Sequence, residues 1–197
     1  MFCYLNRSLS VVLLSIFVTT MLLSQVTPVS AAVCKDEVVA QKAAIAFMRA
    51  AKAKSVNSFQ KALSRHTNMA SISLHALGKY RRKLKSAQRP KFIQLTKNYV
   101  ARTLTNFALK FTAIEHNIKR CRPGLVTGNL FSLSRGGKKV LWKIKKGRVI
   151  DVNIQNVWLV QLLRDRFVSI LKKNGGSVDK LIIRISGSRQ RFAADRN

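Results

Sequence analysis

An α+β domain is what the 197-residue chain predicts: helices first, then a four-stranded antiparallel meander, then helices that join the first set in covering one face of the sheet. Three observations carry this. Apolar residues recur at helical spacing up to about Phe111, alternate with a period of two from there to Asn156, and return to helical spacing after Val157. The breaks between the alternating runs are also too short for crossover helices, so consecutive strands can only run antiparallel.

Residues 36–53 place Val38, Ile45 and Met48 on one side of an amphipathic helix, with Asp36 and Glu37 in the first turn, where negative charge complements the helix dipole. Shorter helical pieces follow from Ser55 to Tyr80, marked by Phe59, Leu63, Met69, Ile72, Leu74 and Leu77 and broken at Gly78. A long helix starts between Ser86 and Pro90 and carries Phe92, Leu95, Tyr99 and Phe107 on one wide face. Phe111–Ile118, Leu125–Leu133, Lys139–Lys145 and Arg148–Asn156 read as strands, separated by Arg122-Pro123-Gly124, Ser134-Arg135-Gly136-Gly137 and Lys146-Gly147. Within them Val140, Trp142 and Ile144 share one face, as do Ile150, Val152 and Ile154. Asp151, Asn153 and Gln155 point the other way, which predicts one apolar and one wet face. Val160, Leu163, Phe167, Ile170 and Leu171 line the next helix, Asn174-Gly175-Gly176 ends it, and Ser177 caps a last one through Leu181 and Ile185.

Domain organisation is simple. Residues 1–31 combine Arg7, a short apolar run and a small-residue end, the pattern of a cleaved export signal. The run falls short of the roughly 20 apolar residues that span a bilayer. Residues 32–186 form the domain, and 187–197 a flexible polar tail. Export leaves Cys34 and Cys121 as the cysteines of the mature chain, and they are expected to pair. Closing a loop of this length stabilises by about 4–5 kcal/mol in the chain-entropy picture.

The chain holds 37 Lys and Arg against 7 Asp and Glu, a net charge of +30. In the cytosol such a balance points to nucleic acid. The expected export removes that partner, and the cations are scattered through helices and strands rather than gathered in a tail. Attraction to an anionic membrane surface or an acidic partner is the sharper reading, a solvated basic face the plainer one. No catalytic machinery is visible. His66, His75 and His116 have no metal-ligand spacing, Glu115 and His116 alternate to opposite faces of a strand, and the seven acidic residues stand singly. The expectation is therefore no catalytic residue, no metal and no cofactor. What remains is a surplus of apolar and aromatic side chains on the long helix and the sheet, enough to leave an apolar cavity between them.

Two blocks carry a family resemblance. One runs Ile150-Asp151-Val152-Asn153-Ile154, Val157, Leu159-Val160-Gln161, Arg164, Phe167 and Gly175-Gly176 with Leu181. The other runs Leu77-Gly78-Lys79-Tyr80, Ser86-Ala87-Gln88-Arg89, Phe92 and Tyr99. In this order they resemble the periplasmic phospholipid-binding family of MlaC type, also called the toluene-tolerance family, over about Phe59–Ile183. The resemblance implies a sheet like that of nuclear transport factor 2 with a helical subdomain, acyl chains held between the two, and no catalysis. It implies a soluble periplasmic phospholipid carrier, a monomer touching membrane surfaces transiently. Such a carrier shuttles lipid between an outer-membrane lipoprotein complex and an inner-membrane ABC transporter complex and so maintains outer-membrane lipid asymmetry. The alternative is an exported basic protein that binds nucleic acid or an acidic surface. The family's usual Glu-Gly before the strand–helix link is replaced by Gln155-Asn156, and a bulky Trp158 follows. The expected lining of the lipid cavity is Phe92, Leu95, Tyr99 and Phe107 from the long helix, Trp142, Ile144, Val152 and Ile154 from the sheet, and Trp158, Val160, Leu163 and Phe167 from the link and the helix after it.

Overall fold

Helix α1 (Lys35–Lys52) carries Asp36 and Glu37 in its first turn and Arg49 and Lys52 in its last, the distribution its dipole favours. Helix α2 (Val56–His66) is capped by Ser55, whose hydroxyl accepts the Ser58 N–H at 3.3 Å. Helix α3 (Met69–Ala76) is capped by Asn68, whose Oδ1 accepts the Ser71 N–H at 2.9 Å. Gly78 then adopts φ +54° and opens a short 3₁₀ turn, and a second one (Ser86–Gln88) leads into helix α4 (Arg89–Ala108). These elements belong to a computed structural model that describes residues 34–108, 115–132 and 136–187. The expected export signal at 1–31, and all but Gly187 of the expected tail, lie outside the described residues.

The strands follow in sequence order, each antiparallel to its neighbour: β1 (Glu115–Arg122), β2 (Leu125–Phe131), β3 (Gly137–Lys145), β4 (Arg148–Ile154) and β5 (Val157–Trp158). The four-stranded expectation is corrected to five. A two-residue strand gives no alternation to read, and here the link before α5 pairs with β4 through Asn153–Trp158 and Ile154–Val157. The first strand also extends to Arg122, four residues further than expected, because a bulge between Ile118 and Arg120 interrupts its alternation. Lys146 and Gly147 both take positive φ, as do Gln155 and Asn156, so both tight hairpins use turns whose twist matches the strands. Helix α5 (Leu159–Lys173) ends where the Gly176 N–H returns to the Leu171 carbonyl at 2.7 Å. The Ser177 hydroxyl then accepts the Lys180 N–H at the start of α6 (Val178–Gly187).

Two apolar clusters result. The helical one centres on Phe167, whose ring meets Phe92 at 5.9 Å and Tyr99 at 5.7 Å, both edge-on, with Leu163, Leu171 and Leu181 around them. The other sits where α1 crosses the sheet. Ala40, Ala43 and Ala44 are fully buried against a cluster of Val126, Leu130, Val140 and Trp142, their small side chains letting helix and strands approach closely. The opposite sheet face is less wet than expected. Asp151 and Asn153 are 9% and 4% exposed, because the chain folds back through β5 and the first turn of α5 and buries their side chains.

Candidate functional site

Between α1 and the sheet the close approach of the alanines gives way, along the helix, to Phe47, Met48 and Ala51, and there a cavity opens. Its walls are these α1 residues, Phe59 and Leu63 of α2, Leu104, Phe107 and Ala108 at the end of α4, and Leu130, Trp142, Val149, Val152 and Ile154 of the sheet, closed by Ile72 and Leu159. Phe47 stacks between Phe59 and Trp142, each at 6.4 Å between centroids. The volume is about 100 Å³. Two polar residues, Thr67 and Asp151, reach the wall, and both are satisfied by backbone. The Thr67 hydroxyl donates to the Leu63 carbonyl at 2.7 Å, and Asp151 Oδ1 accepts from the Val152 and Val160 N–H groups at 2.9 and 3.0 Å. The cavity surface is accordingly almost wholly apolar, a site for hydrocarbon rather than for reaction chemistry.

The end of α1 nearer the N-terminus is fixed to the sheet three times over. A disulfide joins Cys34 to Cys121 with Cα atoms 6.2 Å apart. Asp36 Oδ2 accepts the Gly124 N–H at 2.7 Å, and Gln41 Oε1 accepts from His116 Nδ1 at 2.8 Å. His116 Nε2 in turn accepts the indole N–H of Trp142 at 3.3 Å, which sets the neutral ring with its proton on Nδ1 and orients a residue of the cavity wall. Burial holds the His116 pKa below the usual imidazole value. Burial also pushes the Asp151 pKa up, against the opposing effect of its two N–H donors and of Lys143 and His75.

The family model of the MlaC protein matches residues 36–186. The chain belongs to the MlaC family. A phospholipid-binding protein from Ralstonia solanacearum, solved in complex with a phospholipid, has a similar fold. Its TM-score is 0.63 at 14% identity, over 76% of this chain and 93% of the other. No curated protein matches the chain.

On this MlaC-family fold the expected lining residues divide. Phe107, Trp142, Val152 and Ile154 border the cavity together. Phe92, Tyr99, Leu163 and Phe167 lie in the helical cluster with Leu95 and Val160 packed against it, and Ile144 is buried between α1 and the sheet. Trp158 lies under the Lys143 ammonium, 4.0 Å from ring centroid to Nζ. Sequence reasoning did not assign Ala44, Phe47, Met48, Ala51, Phe59 and Leu63 to the wall. Met48, Phe59 and Leu63 were readable as apolar helix positions, but helical spacing does not say whether an apolar face meets a partner or a gap.

The resemblance motifs hold the scaffold. Arg164 of α5 donates through Nε and Nη2 to the His75 carbonyl at 3.2 and 2.9 Å, closing the end of α3, and its side chain passes 3.7 Å from where a Cβ on Gly78 would stand. Among the described residues no group of three or more His, Cys, Asp or Glu is placed to hold a metal ion, and no helix is long and apolar enough to cross a membrane.

Proposed function

We propose that this protein is a soluble periplasmic phospholipid carrier, exported on residues 1–31, which takes acyl chains into the cavity between α1, α2, α4 and the sheet and leaves the headgroup at its mouth. The observation that carries this reading is the cavity wall itself, apolar throughout with both polar residues turned to backbone, in a chain of the MlaC family. The phospholipid held by the Ralstonia protein of similar fold supports it. Each methylene moved from water to an apolar site contributes about 0.8 kcal/mol, so one acyl chain amounts to on the order of 10 kcal/mol. Unaided transfer between membranes is slow for that reason, and a carrier removes the barrier without catalysing any bond change.

At about 100 Å³ the cavity is smaller than the roughly 150 Å³ that seats a benzene-sized guest, so uptake of cargo parts the wall. The unbranched Met48 and the 44% exposed Phe107 are the side chains suited to swing, while the disulfide end of α1 stays fixed. The carrier works as a monomer. Lipid passes between an outer-membrane lipoprotein complex and an inner-membrane ABC transporter complex, each met by transient contact at the membrane surface.

Native mass spectrometry with lipid extraction, on mature protein purified without detergent from an exporting host, tests this reading. A stoichiometric diacyl phospholipid is expected. A bare polypeptide mass that persists after incubation with phospholipid vesicles overturns it and leaves the basic surface as the functional feature.

A further inference from the structure

On the outer side of α1 and α2, away from the apolar cavity, a groove of about 960 Å³ runs between these helices toward α4 and the start of β4. Lys42 and Arg49 of α1, Lys61 and Arg65 of α2, Lys97 of α4 and Arg148 of β4 line it, and no acidic residue does. Ala46, Ala50 and Ala62 form a shallow floor between the two helices. Two of the cations are held in position. Arg148 Nη1 donates to the Ser64 and Arg65 carbonyls at 3.1 and 3.3 Å, and Lys97 Nζ to the Ser64 hydroxyl at 3.0 Å. His66, at the same end of the groove, is held below the usual imidazole pKa by burial and then by Arg65, Arg148 and Lys42, a sign that their fields add there.

We infer that this groove is a docking site for an acidic segment of a protein partner, with its Asp and Glu side chains against the cationic walls and small or apolar side chains on the alanine floor. A concave trough receives a ridge such as a helix or an extended strand, whereas a membrane is flat and reaches only the rim. No Phe, Tyr or Trp side chain lines the trough, and the one imidazole there, His66, stands at its end, so it lacks the row of aromatic rings on which single-stranded nucleic acid stacks. Clefts lined by one sign of charge focus the field and raise association rates, which suits brief encounters. The inference goes beyond the carrier reading, because it stands whether or not lipid fills the cavity.

The test is location, since a chain this basic attracts any polyanion. The triple variant Lys42→Glu/Arg49→Glu/Lys61→Glu is compared with Arg166→Glu/Lys173→Glu/Lys180→Glu, an equal change of charge in the cleft between α5 and α6. Binding of a dye-labelled helical peptide of Glu and Ala is followed by fluorescence anisotropy at physiological salt. Circular dichroism checks the fold, and native mass spectrometry checks lipid content. The groove triple is expected to bind the peptide at least about tenfold more weakly than wild type, the control triple within about threefold, with lipid content unchanged in both. Equal weakening by the two triples reduces the effect to net charge and overturns the inference. So does unchanged peptide binding in the groove triple, with or without a selective loss of binding to phosphatidylglycerol vesicles, the loss pointing to a membrane surface. If the Glu triple fails to fold, the Gln triple at the same positions is read by the same criteria.

Discussion

Asp151 Oδ1 accepts the Val160 N–H at 3.0 Å, so a carboxylate on strand β4 caps helix α5, whose own N-cap residue, Trp158, offers no side-chain acceptor. This joins strand to helix with a single side chain and explains why an acidic residue stands there in a chain with only 7. Because burial raises its pKa, the native state binds the Asp151 proton more tightly than the unfolded chain does. Its contribution to stability therefore falls as pH rises from the ordinary carboxylate range to the folded value. Asp151→Asn keeps an acceptor and removes the buried charge. Thermal unfolding from about pH 4 to pH 7 should show a flatter profile for this variant. Asp151→Ala, which leaves the Val152 and Val160 N–H groups unpaired, should be less stable than Asp151→Asn by about 1–3 kcal/mol.

His116 works in the opposite direction. Its folded pKa is depressed, so the stability it provides is complete above the ordinary imidazole value of 6.5 and is lost as pH falls below that toward the folded value. Protonation also places a second N–H against the Trp142 indole N–H, breaking the bond from β1 to the cavity wall. Urea unfolding followed by tryptophan fluorescence should give a midpoint that drops between about pH 6.5 and pH 5, and His116→Gln should lose most of that drop. A profile identical to wild type in His116→Gln would assign the acid sensitivity elsewhere.

Leu104 and Leu163 separate cavity from core. Leu104 is half-buried and borders the cavity, whereas Leu163 is 2% exposed beside Phe167. Leu104→Arg should leave circular dichroism near native and lower the amount of co-purified phospholipid several-fold, because its cation has water within reach while its charge faces the acyl site. Leu163→Arg buries an unpaired charge and should cost several kcal/mol, so that the protein unfolds or accumulates poorly. Equal lipid content in wild type and Leu104→Arg would mean that cargo does not use this cavity.

The contrast between these leucines marks how far the sequence was legible. Period changes near Phe111 and Val157 separated helical from strand sequence and marked four of the five strands among the described residues, since spacing reports which face of an element is apolar. Spacing is silent on what that face meets, so Phe92, Tyr99 and Phe167 could not be told from Phe107, although three pack together and one stands at a cavity mouth. Asp151 and Asn153 misled for a related reason. Alternation put them on the second face of β4, and it could not show that the fold-back of β5 and the first turn of α5 buries both side chains. The cavity's α1 wall depends on where Ala40, Ala43 and Ala44 give way to Phe47 and Met48, a difference in side-chain size that matters only once the helix is known to cross the sheet.

Gly128 offers a last test of how the cavity wall is held. It faces β1, and a Cβ placed on it would overlap the Asn117 carbonyl oxygen and come within 3.0 Å of His116 Nε2. Ile118 lies opposite Gly128 at the edge of the β1 bulge, and the nearest obstacle is the Asn117 backbone, so the added methyl cannot be relieved by moving a flexible side-chain end alone. Gly128→Ala should therefore cost about 1–3 kcal/mol and shift tryptophan emission as the Trp142 bond to His116 is strained. Gly187→Ala, where nothing lies within 4 Å of the new Cβ at the end of α6, is the control and should be neutral or slightly stabilising. Parallel chemical denaturation of the two variants measures the difference. If Gly128→Ala matches the control, β1 and β2 can separate at this point at no cost, and His116 does not hold Trp142 in the wall.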